Sequence, residues 1–125
     1  MNNKLLKVLV VGLVMCGITT DASAESLTVE KLEAMCAGLS SAGVINGNQG
    51  ACILYVNGFV DGYYANAWAL DYDPLCVPAG VTNLQMARVF LKWAGDNPNQ
   101  GHAAAGTGFL NALVAAYPCP PPPKA

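Results

Sequence analysis

Leu75-Cys76-Val77-Pro78-Ala79-Gly80-Val81-Thr82-Asn83-Leu84-Gln85-Met86 is the stretch whose reading decides the fold. Thr82 with Gln85 three residues on makes a capping box, in which each side chain answers the other's backbone N–H. Val81 and Met86 bracket the box as a hydrophobic staple. A helix therefore opens at Asn83. Leu84, Ala87, Phe90, Leu91 and Ala94 recur at its period until Gly95 stops it. Pro78 and Gly80 keep the preceding stretch irregular, and Cys76 lies just ahead of the helix.

Working outward, Asn97-Pro98 starts a fourth helix, with Pro98 in the first turn, where its missing N–H does no harm. Ala105, Phe109, Ala112, Leu113 and Ala116 form its stripe. Gly101, Gly106 and Gly108 weaken its first half, so a kink or a late start is expected, and Pro118 ends it. Upstream, residues 51–70 read as helix two, with Cys52, Val56, Phe59, Val60, Tyr63, Ala67 and Leu70 inward. Gly58 and Gly62 lie four apart on one face, where another backbone is expected to approach closely. Residues 44–50 (VINGNQG) read as a loop. Residues 29–39 read as helix one, capped by Thr28, with Glu30 and Glu33 near its positive end. The fold class is all-α: four helices in two hairpins.

Cysteine arithmetic supports that layout. Past the first two dozen residues the chain has Cys36, Cys52, Cys76 and Cys119. Their spacing contains no C-x-x-C pair, which disfavours zinc. In an antiparallel hairpin the end of one helix sits beside the start of the next. Cys36 closes helix one and Cys52 opens helix two; Cys76 precedes helix three and Cys119 follows helix four. Of three possible connectivities, Cys36–Cys52 and Cys76–Cys119 fit best, and two disulfides staple the fold.

Such bridges need an oxidising compartment, and the N-terminus supplies a route to one. Lys4 and Lys7 precede an apolar run at 8–18 (VLVVGLVMCGI), too short to span a bilayer. Ala22-Ser23-Ala24 is a cleavage site. Residues 1–24 read as a secretory signal peptide, 25–119 as the domain and 120–125 as a stiff proline-rich tail. After cleavage no membrane contact is expected.

The 125-residue chain is 54% hydrophobic and only 11% charged, with a net charge of −2. It has enough to bury to fold. It lacks the basic face that a nucleic-acid binder needs. Sparse charge leaves neutral and apolar surface exposed, which favours a protein partner or a homodimer.

The residues offer little chemistry. His102 is the only histidine and has no free thiol to pair with. Asp61, inside an apolar helix, reads as a buried structural carboxylate needing a partner such as Arg88, Tyr63 or a backbone N–H. Asp71, Tyr72 and Asp73 form a polar turn, and Asp96 and Asn97 a second; these five are the expected partner-binding residues. No phosphate loop or hydrolase motif appears. No catalytic residue, metal or cofactor is expected.

Three stretches resemble one family. They are Cys52-Ile53-Leu54-Tyr55-Val56-Asn57-Gly58-Phe59-Val60-Asp61-Gly62, the C-x-P-x-G-V-T-x-x-Q run from Cys76 to Gln85, and Asn97-Pro98 with His102 leading to Tyr117-Pro118-Cys119. Together they resemble the Rap/Tai immunity proteins of bacterial type VI secretion, over residues 32–119. This chain departs in having Trp93-Ala94 where Tyr-Leu is usual, and in its glycines at 101, 106 and 108. The resemblance implies a periplasmic protein that binds a secreted peptidoglycan amidase effector and blocks it without catalysis. Gly58, Asp61, Pro78, Gly80, Thr82, Gln85, Pro98, His102 and Pro118 then belong to the scaffold motifs. A small disulfide-bonded periplasmic chaperone is the alternative, though that class usually carries charge-rich termini. A small secreted hydrolase is disfavoured by the missing nucleophile–base pair.

Overall fold

Four helices and one 3-10 turn make up the regular structure in the computed structural model, which describes residues 26–71, 73 and 75–121. The helices are α1 (Val29–Cys36), α2 (Gly47–Leu70), α3 (Asn83–Asp96) and α4 (Ala105–Ala116), with the 3-10 turn at Pro98–Gln100. Among the described residues there is no strand, only isolated bridges, among them Thr28 to Ala104 and Leu75 to Pro118. Residues 1–25, of which 1–24 read as a signal peptide in the sequence, lie outside the described residues, as do Tyr72, Pro74 and residues 122–125.

The two hairpins are α1–α2 and α3–α4, and α1 packs against all three other helices. Leu32, Val56, Phe90, Phe109 and Leu113 meet at the centre, with the Cys36–Cys52 bridge beside them. Phe109 stands edge-on to Phe59 at 4.9 Å and 5.6 Å from Phe90, so one ring joins both hairpins. Both expected disulfides are present: Cys36–Cys52 with Cα atoms 5.2 Å apart, and Cys76–Cys119 with Cα atoms 4.9 Å apart.

α3 begins where the capping box places it. Thr82 Oγ1 accepts from Gln85 N at 3.2 Å and Gln85 Oε1 accepts from Thr82 N at 2.7 Å. Met86 is buried and Val81 half-buried, as a staple requires. Gly80 takes φ +89° in the turn ahead of the cap. The helix passes through Gly95, expected as its stop, and ends one residue later. The exposed Lys92–Asp96 pair at 2.7 Å and the Asn97 amide donating to Trp93 O at 2.8 Å hold that last turn.

Other boundaries differ from expectation. α1 ends at Cys36 and not at residue 39, because the backbone leaves the helix at Ala37 and Gly38 adopts φ +77°. α2 begins at Gly47, inside the expected loop, because Asn46 caps it by accepting from Gln49 N at 2.9 Å. The two breaks are tied together by Gln49, the buried polar side chain of the core. Its Nε2 donates to Ala37 O and its Oε1 accepts from Ile45 N, both at 2.9 Å. Pro98 starts the 3-10 turn and not α4, which begins late at Ala105.

Backbone hydrogen bonds also tie the loop before α4 to the start of α1. Val29 N donates to Ala103 O and Glu30 N to Gly101 O, each at 2.9 Å, while Ala105 N donates to Leu27 O at 2.8 Å. The first N–H groups of α1 are thus satisfied by the loop before α4.

Three expectations about α2 are corrected. Gly58 and Gly62 face open space, with nothing within 4 Å of a Cβ built on either. Asp61 is exposed and not buried. Leu70, expected inward, is also exposed. The cause is common to all three. Beyond Val56 the only buried residue of α2 is Ala67, so the second half of this 24-residue helix runs along the rim of the core.

Candidate partner-binding site

The end of α2 turns into a short connection that is fixed at several points. Asp71 closes the helix in the left-handed region, at φ 50°, with its N–H directed to Ala67 O and Trp68 O. Two residues on, Asp73 Oδ1 accepts from Tyr63 Oη at 2.8 Å and from Leu75 N at 3.0 Å. Burial, then the hydrogen bond and charge of Asp73, push the Tyr63 phenol up to about 12. Leu75 is buried and bridges to Pro118, and Cys76 N donates to Tyr117 O at 3.3 Å beside the Cys76–Cys119 disulfide. On the inner side of α2, the Asn83 amide donates to Asn57, tying α2 to the start of α3.

Asp71 and Asp73 line one depression of about 420 Å³ together with Tyr64, Ala67 and Trp68. Tyr72 lies outside the described residues. Asp96 belongs to a different groove of about 240 Å³, between α3 and α4, walled by Val89, Trp93 and Ala112. Asn97 is half-buried, with its amide spent on Trp93. So the structure joins the two aspartates of the first loop and separates them from the residues of the second.

His102 is exposed in the loop whose neighbouring carbonyls cap α1, and Pro78 is exposed before α3. Among the described residues no group of three or more His, Cys, Asp or Glu side chains could hold a metal ion, and no helix is long and apolar enough to cross a membrane. Tyr64 and Trp68 were not singled out from sequence. Their signal is a phase: with Val56, Tyr63 and Ala67 inward, the residue after Ala67 must point outward.

Fold and surface define the class first: a small helical domain, held by two disulfides, that exposes aromatic and acidic side chains on a fixed frame. Within it, a family model for Rap1a immunity proteins matches residues 28–119, and the chain belongs to that family. The family implies a cognate effector as partner. No curated protein and no solved structure matches the chain.

Proposed function

We propose that this chain is a periplasmic immunity protein that binds a peptidoglycan amidase delivered by type VI secretion and inhibits it by covering its active-site cleft, with no catalysis of its own. Residues 1–24 act as the export signal in this reading. The family match supports the immunity reading, and the observation that carries occlusion is that Asp71, Asp73 and Leu75 are each tied down, beside Cys76–Cys119. A plug must be ordered before it binds, since ordering it on contact would subtract from affinity. The loop 95–101 is the second candidate plug, and a homodimer would present each loop twice.

The test is hydrolysis of peptidoglycan by secreted amidases titrated with residues 25–125. Inhibition that saturates at a fixed stoichiometry and reverses when the complex is dissociated is expected. Asp71→Lys or Asp96→Lys should weaken it, according to which loop enters the cleft, while circular dichroism stays native. Failure to inhibit any such amidase would overturn the amidase reading, and a lasting covalent change in the amidase would overturn occlusion.

A further inference from the structure

The outer face of α2 presents more than a loop. Trp68 is 87% exposed, with Tyr64 one turn before it also exposed. Large aromatic side chains are the usual anchors of protein interfaces, because they cover much area with few rotatable bonds to fix. Here they sit at the end of α2, where Asp71 caps the helix and Asp73 is held by Tyr63.

Charge decides what covers this face. From residue 32 to residue 87 the chain contains no lysine or arginine. Asp61, Asp71 and Asp73 are all exposed. Asp61, Tyr64, Trp68 and Asp71 recur at helical spacing and share one side of α2. A second copy docked here about a two-fold axis would set carboxylates against carboxylates. A basic surface meets no such penalty and gains from both features.

We infer that Tyr64 and Trp68 anchor the contact with the effector, and that the depression between the two rings and Asp71 and Asp73 receives a basic side chain, arginine above all, from the effector's surface. This rests on the reading of the chain as an effector-binding immunity protein. A guanidinium is planar. It stacks on an indole face while its N–H fork meets a carboxylate, so one side chain uses both walls of the depression. The cap contacts of Asp71 and the Tyr63–Asp73 bond keep those walls in place before the partner arrives.

The experiment measures binding of residues 25–125 to an inactivated secreted amidase. Trp68→Ala should weaken binding by about 30-fold or more, the loss expected of an interface anchor. Asp71→Asn keeps a residue type that tolerates the left-handed backbone. It should weaken binding by about fivefold and flatten its dependence on salt. Leu54→Ala, exposed nearer the start of the same helix, should bind as the native chain does. All three should melt as the native chain does. If the native chain binds and Trp68→Ala binds within twofold of it, this inference alone is overturned. If sedimentation shows a native dimer that Trp68→Ala dissolves, a second copy covers the face and the inference is again overturned. If the native chain binds no amidase, the functional reading falls and this one falls with it.

Discussion

A Cβ placed on Gly108 would stand 2.3 Å from Val29 Cγ2 and 3.2 Å from Trp93 Cζ3. Gly108 is buried where α4 crosses the first turn of α1, and the missing side chain is what lets the two approach. Gly108→Ala is therefore expected to destabilise by about 1–3 kcal/mol, although alanine is the better helix former. Urea unfolding checks it, and a raised midpoint would mean that the contact relaxes freely. At the opposite corner, Thr82→Ala removes the hydroxyl that accepts from Gln85 N, and a loss of about 1 kcal/mol is expected. An unchanged midpoint would show that the cap contributes nothing. Thr82 was legible in the sequence because a capping box is a local pattern. Gly108 was legible only as a weakness in its helix, because what makes it necessary lies on α1. Gln49 was not legible: its partners, Ala37 and Ile45, are backbone groups that a side-chain pattern never displays.

The helices themselves were readable in number and order, since each buried stripe keeps its period. Their ends were readable only where a side chain caps them and no glycine obscures the cap. Asn46-Gly47-Asn48-Gln49-Gly50 has the glycine content of a loop, yet Asn46 caps a helix there. The disulfide pairing was readable because hairpin topology leaves few choices. The candidate face was half-readable: the aspartates stand out as polar residues in a turn, whereas Trp68 is marked only by its phase, one residue after the inward Ala67. The Tyr63–Asp73 contact gives the end of α2 a pH dependence of its own. Tyr63 bonds Asp73 only as a neutral donor, and its folded pKa of about 12 exceeds the ordinary 10.0. The fold therefore retains this proton more strongly than the unfolded chain does. Its contribution is complete below pH 10 and is lost as pH climbs toward 12. Stability of the native chain should decline over that interval, and Tyr63→Phe should decline less. Parallel decline in both would assign the effect elsewhere, with Tyr55, also raised by burial, the first alternative.

Across the whole molecule, the two bridges differ in reach. Cys36–Cys52 closes a separation of 16 residues and Cys76–Cys119 one of 43. Loop-closure entropy assigns them about 3 and about 4 kcal/mol. The double substitution Cys76→Ser with Cys119→Ser is expected to lower stability by about 4 kcal/mol and to speed amide hydrogen exchange at Leu75 and Cys76. Exchange there that stays as slow as in the native protein would show that Leu75 and the Pro118 bridge suffice to hold the loop. The joint between α1 and α4 has a different consequence, one of timing. An eight-residue helix does not persist alone in water, and two of the opening N–H groups of α1 wait for the carbonyls of Gly101 and Ala103. A chain that emerges N-terminus first therefore exposes Val29 to Cys36 long before the segment that completes them. The nearer cysteines can meet early, but the first helix and the longer bridge form only when the last fifth of the sequence has arrived. The native start of α1 is thus completed by residues that follow it by about seventy positions, and a chain cut before residue 101 would lack the partners of both N–H groups.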